Sequence, residues 1–382
     1  MPERAVCKRF EMSAKRILIV SSEYSPGPGG IGHPAYSLSC GLHRSGHHVE
    51  AMTFSDYVTE EMKRDFDSRQ PFRITGYPSL GWRTYSKRIA VTMNCVREGG
   101  FDRVFLTEKF ALWTGLALKT MRLRQKTPAI LHGSEVRPSN FRLRFLTNRA
   151  VASWDRVVAV SSFIASLLPP RLRKTKAPAI IPNGIGSTET PDDDSALETN
   201  LRGHPYLLTV GHVSPRKGQN RVIKAMSAFA ETFPEVHYRM LRRPIQRERL
   251  ESLAGSLGVS DSIMFHGVAP SQDDLASYYE RADTFMLLSE NLPNGDVEGF
   301  GILSREANHF GMPVVGAEVC GVEDAVSEGE PGYLVDGDHP EAIVSAVSCC
   351  MDSKDSLRES SEELARRHAC DEVIPDYEKL IH

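Results

Sequence analysis

The sequence predicts an α/β protein of two Rossmann-like domains, each built on an open parallel sheet. Three observations carry this. The 382 residues exceed one ordinary core and suit two. Short apolar strands alternate with helical stretches through both halves, as the βα units of a parallel sheet require. Each half opens on a strand, a glycine-bearing turn and a helix, a layout that aims backbone N–H groups at a phosphate.

In the first half the opening strand is Arg16 to Ser21, followed by the turn Pro26-Gly-Pro-Gly-Gly-Ile-Gly32 and a helical pattern from Ala35 to Arg44, closed by Gly46. Further strands are read at His48 to Phe54, Arg103 to Thr107, Pro128 to His132, Asp155 to Ser161 and Ala179 to Pro182. Ligands gather at strand C-ends in such sheets, which makes His132, followed by Gly133, a candidate. Residues 186 to 202, with Pro191-Asp-Asp-Asp194, read as a polar linker rather than a metal site, because nothing frames those aspartates.

The second half opens on Tyr206 to Gly211, then His212 and the basic turn Val213-Ser-Pro-Arg216-Lys217-Gly218, with a helix from about Asn220. Strands follow at Val236 to Leu241, Ile263 to Val268 and Thr284 to Leu288. A polar loop then introduces Glu298-Gly-Phe-Gly-Ile-Leu-Ser-Arg-Glu306, which puts two carboxylates across a turn-to-helix junction. Gly299 and Gly301 permit close backbone approach, and Ile302 to Phe310 reads as a helix ended by Gly311 and Pro313. A phosphate fits beside Phe300 and Gly301 at that helix start, while Glu298 stays on the loop and Glu306 lies one turn inside. A nucleotide sugar offers matching groups: a diphosphate for the helix end, and ribose and sugar hydroxyls for the carboxylates.

This acidic-Gly-Phe-Gly motif, with its second glutamate and the following Gly-Met-Pro-Val-Val, resembles the signature of glycosyltransferase family 4. The likeness is close over residues 206 to 347 and looser in the first half. It implies the GT-B fold: an acceptor domain over residues 1–190, a linker over 191–204, a nucleotide-sugar domain over 205–365, and a last helix (366–382) crossing back. It further implies that Glu298 contacts the transferred sugar and Glu306 the ribose, and that the amides of Gly299, Phe300, Gly301 and Ile302 meet the diphosphate. Val268 would read the base edge. Gly29, Gly30, Gly32 and His33 would line the cleft, with Gly30 on the donor side, and His132 would face the donor sugar. Lys217 matches the family lysine that meets the diphosphate, but His212 stands where the family usually has arginine, and Arg216 is the candidate substitute. The implied reaction is retaining transfer of a mannose-, glucose- or N-acetylglucosamine-type hexosyl group from a nucleoside-diphosphate sugar. The acceptor would be a saccharide, lipid-linked or small-molecule hydroxyl, in polysaccharide or glycolipid biosynthesis. No cofactor, metal or nucleic acid is expected.

Composition is that of a globular protein, 41% hydrophobic and 25% charged, with no apolar run long enough to span a membrane. The N-terminus is basic without an apolar core and does not read as a signal peptide. Seven scattered cysteines argue for reduced thiols and a cytoplasmic location. Residues 1–190 hold 29 Lys+Arg against 15 Asp+Glu, and the remainder 17 against 34, so the halves carry +14 and −17. That division fits an anionic partner, such as the inner membrane face, or complementarity between the halves themselves. In Phe141 to Arg149, Phe141, Phe145 and Leu146 alternate with Arg142, Arg144 and Arg149. The favoured reading is a surface helix with its aromatics turned to the core; the other is a helix on a membrane interface.

Two rivals stay open. Gly27-x-Gly29-x-x-Gly32 with Glu50 satisfies a dinucleotide fingerprint, although Pro28 removes an N–H from the turn and Glu50 falls within a strand. A non-catalytic sugar-nucleotide-binding relative is suggested by His212 and by Arg242-Arg243-Pro244, where the family has a glycine-rich turn.

Overall fold

The computed structural model describes residues 13–26, 32–53, 59–77, 84–120, 126–133, 135–184, 203–242, 245–269, 271–326 and 331–381. The sequence reading of the linker, of Gly29, Gly30 and Pro28, and of Arg243 and Pro244 falls outside these residues.

Two parallel sheets form. The first contains β1 (Arg16–Ser21), β2 (His48–Thr53), β3 (Arg73–Gly76), β4 (Arg103–Thr107), β5 (Pro128–Leu131), β6 (Arg156–Ala159) and β7 (Ala179–Ile180), in the order β3-β2-β1-β4-β5-β6-β7. The second contains β8 (Tyr206–Val210), β9 (His237–Leu241), β10 (Ile263–Gly267), β11 (Thr284–Leu287), β12 (Val314–Ala317) and β13 (Gly332–Val335), in the order β10-β9-β8-β11-β12-β13. Both orders run outward from the first strand and then reverse, the doubly wound topology of Rossmann sheets. Each sheet therefore has one switch point, at β1/β4 and at β8/β11, where crossovers part and leave a crevice at the strand C-ends.

The central strands are short and buried, as strands covered on both faces must be: β1 is buried from Ile17 to Ser21 and β8 throughout, whereas the edge strands β3, β7, β10 and β13 are mostly half-buried. Several end a residue or two before the sequence pattern does: β5 at Leu131, β6 at Ala159, β7 at Ile180 and β11 at Leu287. The sequence reading missed β3, whose Arg-Ile-Thr-Gly offers no periodicity and which sits at the sheet edge against β2. The first helix begins at Gly32, three residues earlier than read, and its start packs so close to the end of the first loop that a Cβ there would press on the Tyr24 backbone nitrogen at 2.8 Å.

The last helix, Cys370–Ile381, crosses back and packs on the Gly32–Arg44 helix. A Cβ on Gly41 would occupy the space of the Ile374 side chain, Cys370 Sγ lies 3.0 Å from the Ser37 carbonyl, and Arg44 pairs with Asp371 at 2.5 Å. The apolar core of the first domain continues under one face of the second sheet, so the two halves share packed surface.

Candidate active site

The switch point of the second sheet gathers the charged groups. After β8, the turn Pro215–Lys217 ends on Gly218, whose φ of 72° suits a residue without Cβ. Substitution there is excluded by space as well, because a Cβ would collide with the Leu288 carbonyl at the end of β11. That close approach brings the turn beside the loop leading to Glu298. Lys217 Nζ lies 2.7 Å from Glu298 Oε2, Arg216 Nη1 donates to the same oxygen, and Arg216 Nε lies 3.2 Å from Asp296. Glu298 and Lys217 are buried, at 7% and 8% exposure. Burial by itself would raise the Glu298 carboxyl, but Lys217 and Arg216 outweigh it and hold it at about 2. Burial likewise lowers the Lys217 ammonium, against the opposing pull of Glu298.

Beyond Glu298, Gly301 adopts φ 75° and starts the Ile302–His309 helix, whose first turn has no side-chain cap. Its leading amides therefore point toward the crevice with the positive end of the helix dipole. Phe300 and Ile302 are buried, so only their backbone can face a ligand; the Arg305 guanidinium lies over the Phe300 ring at 5.8 Å. Glu306 accepts from the Tyr279 hydroxyl at 3.2 Å, and Tyr279 stacks flat on Phe310. His212 is exposed, and its carbonyl accepts from Gln219 at 3.2 Å. Val268 is exposed just past β10.

Residues of the first domain close on this loop. A Cβ on Gly299 would collide with the carbonyl of His132, at the end of β5, and a Cβ on Gly133 would stand 3.4 Å from the Val297 carbonyl. Ser161 Oγ donates to the Gly299 carbonyl at 2.6 Å. Asp324 accepts from Ser162 N at 3.1 Å and from Ser162 Oγ at 2.8 Å, so an acid of the second domain caps a helix of the first. Sequence reasoning took Ser161 as the end of a strand and gave Asp324 no role; an acid near a glycine turn carries no signal of a partner 162 residues away.

His132 is 8% exposed, and neither ring nitrogen has a hydrogen-bond partner among the described residues. Its ring lines a narrow cavity together with Thr107, Asn183, Ser37 and side chains of the last helix, such as Tyr377. Burial lowers its pKa to about 4. Its backbone N–H donates to Glu135, a buried acid three residues on that the sequence reading passed over.

The switch point of the first sheet holds Ser21, Glu23 and Glu108. Ser21 Oγ lies 2.8 Å from Glu108 Oε1, and Glu23 N donates to the same carboxyl at 3.2 Å. Burial first, and then the neighbouring Glu23, push the Glu108 carboxyl up to about 8. Gly32 packs at this edge, and His33 is exposed beside Tyr36. Glu50, the ribose acid of the dinucleotide alternative, is the third residue of β2 and pairs with Arg16 at 3.1 Å, away from the strand C-ends. Among the described residues no group of three His, Cys, Asp or Glu side chains is placed to hold a metal.

Twin Rossmann sheets meeting at a seam, with the charged loop of one pressed against the strand ends of the other, define the GT-B class. Residues 28–188 match the family described as Glycosyltransferase Family 4, and residues 194–368 the one described as Glycosyl transferases group 1. The chain belongs to glycosyltransferase family 4. It is 28% identical over 247 residues to a GDP-mannose-dependent alpha-(1-6)-phosphatidylinositol monomannoside mannosyltransferase of Mycolicibacterium smegmatis, covering 63% of this chain and 64% of that one. It is 31% identical over 197 residues to a D-inositol 3-phosphate glycosyltransferase of Acidothermus cellulolyticus, covering 48% and 41%. These alignments span less than two thirds of either relative's own length. Sucrose-phosphate synthase from Thermosynechococcus elongatus has the same fold, with a TM-score of 0.76 at 19% identity over 96% of this chain and 98% of that one.

Proposed function

We propose that the protein transfers a hexosyl group from a nucleoside-diphosphate sugar to an acceptor hydroxyl, with retention and without a metal. The observation that supports this most directly is the Glu298–Lys217–Arg216 cluster at the switch point of the second sheet, beside an uncapped helix start. Two fixed cations and the positive end of a helix suit a diphosphate leaving group, whose departure builds negative charge they can stabilise without reorganisation. Glu306, held by Tyr279, would bind the ribose hydroxyls.

Glu298 is suited to bind a sugar hydroxyl and to brace the cations rather than to attack carbon. A carboxylate held at about 2 by two cations is a weak base and a weak nucleophile. Double displacement of the kind retaining glycosidases use would need a free carboxylate under the anomeric carbon. Front-face substitution, in which the leaving diphosphate helps to deprotonate the acceptor, fits this arrangement better. The acceptor would approach from the first domain, and a lipid-linked acceptor at the inner membrane face is part of the reading.

Calorimetric titration with UDP, GDP, ADP and NAD tests the proposal. One nucleoside diphosphate should bind, and Glu306→Ala should weaken it by about 1 to 3 kcal/mol through a lost charged hydrogen bond. Binding of NAD alone, or binding indifferent to Glu306, would overturn it.

A further inference from the structure

The helix Phe141–Ser153 is turned inside out for a surface helix. Its buried residues are the small Thr147, Ala150 and Val151, while its largest apolar side chains face solvent: Phe141 is 71% exposed, Phe145 62% and Leu146 43%. The sequence reading favoured aromatics turned to the core; the structure corrects that. Phe141 and Phe145 stand one turn apart on one stripe, and the exposed Arg142, Arg144 and Arg149 flank them, with the Arg142 guanidinium 5.7 Å from the Phe141 ring centre. No acidic residue occurs between Glu135 and Asp155. The Pro170–Lys176 helix, which packs alongside, adds Arg171, Arg173, Lys174 and Lys176, again without an acid.

Exposed aromatics cost free energy in water unless something covers them, and a rim that is purely cationic selects what that is. We infer that this helix face docks on an anionic lipid bilayer, with Phe141, Phe145 and Leu146 entering the interface and the arginines meeting lipid phosphates. An interfacial helix needs this combination of apolar anchors and basic flanks, and each arginine at an anionic surface is worth about fivefold in affinity. The placement also serves the cleft. The loop entering the helix abuts the second domain, where a Cβ on Gly295 would collide with the Arg137 carbonyl, and Gly295 lies three residues before Glu298. A bilayer on this face would lie at the rim of the site, where a lipid-linked acceptor presents its head group. The inference rests on the transferase reading for that last step alone.

Sedimentation of the full chain with phosphatidylglycerol/phosphatidylcholine vesicles, against phosphatidylcholine alone, tests it. The wild type should sediment with the anionic vesicles only and be released by salt. Phe141→Ser/Phe145→Ser should weaken binding at least about tenfold, and Arg142→Ser/Arg144→Ser by a similar factor. Neither pair contributes to the buried core, and nucleoside-diphosphate binding measured on the same samples should be unchanged. Equal binding to both vesicle types, no binding, or wild-type binding by the double variants would overturn the assignment. So would a wild-type dimer that Phe141→Ser/Phe145→Ser dissociates without any vesicle binding, since that result would place a second copy of the chain on the face. Vesicle binding with no nucleoside-diphosphate binding would leave the docking surface standing and remove the transferase reading instead.

Discussion

Replacing Glu298 with glutamine should separate stability, donor binding and turnover in a way that only its ion cluster predicts. The carboxyl falls from an ordinary 4.5 to about 2, and that fall is worth about 3 kcal/mol of interaction favouring the charged form. Glu298→Gln removes the anion that Lys217 touches and leaves that ammonium buried beside Arg216, with Asp296 remaining on Arg216 alone, and breaking a buried pair in this way costs about 3 to 5 kcal/mol. The assay is urea unfolding followed by two probes. All three tryptophans, Trp82, Trp113 and Trp154, lie in the first domain, so fluorescence reports that half, whereas far-UV circular dichroism reports both. The dichroism transition should shift to lower urea by the larger amount. A saturating nucleoside diphosphate should restore much of the loss, because its phosphates supply the missing anion, and ligand at about 100 times Kd contributes about 2.7 kcal/mol. Affinity for the nucleotide should be kept or improved while turnover collapses. A loss below about 1 kcal/mol, the range of an exposed pair, would refute the reasoning. Parallel losses of nucleotide binding and turnover would refute it too.

Two further outcomes follow from the seam and from His132. Gly299→Ala places a methyl group into the His132 carbonyl and should force the halves apart, raising the radius of gyration in small-angle scattering and lowering turnover; wild-type scattering would contradict the closeness of this contact. His132 has a folded pKa of about 4, below the ordinary 6.5, so the unfolded chain binds its proton more readily. Its contribution is intact above pH 6.5 and is lost as pH falls toward 4, to a total of about 3 kcal/mol. Urea midpoints between pH 7 and pH 4.5 should therefore fall more steeply for the wild type than for His132→Gln, and equal slopes would show that the ring is not buried neutral.

Much of the fold was legible because its signals are local. Buried parallel strands must be apolar runs, and each strand read from the sequence, from Arg16–Ser21 to Thr284–Leu288, sits within a residue or two of an observed strand. The helix starts at Gly32 and Ile302 were legible within a few residues, because a glycine turn against a strand end leaves few other choices. Motif spacing put Glu298 and Glu306 across one helix start, and the family resemblance brought Lys217 to the same site. The edge strand Arg73–Gly76 carried no period and was missed.

By itself, then, the sequence determined two βα domains, a carboxylate pair flanking a helix start, and a basic turn after the second domain's first strand. Only the tertiary structure decided what those charges do to one another. Glu298 lies 81 residues from Lys217, and their pairing depends on Gly218 meeting the Leu288 carbonyl. The same holds for the seam, where Ser162 finds Asp324 and Gly299 finds His132, residues far apart in sequence. It holds for the outward face of Phe141–Ser153 as well. Periodicity shows that a helix has an apolar stripe, but which stripe meets the core is set by the neighbours that the rest of the chain brings to it.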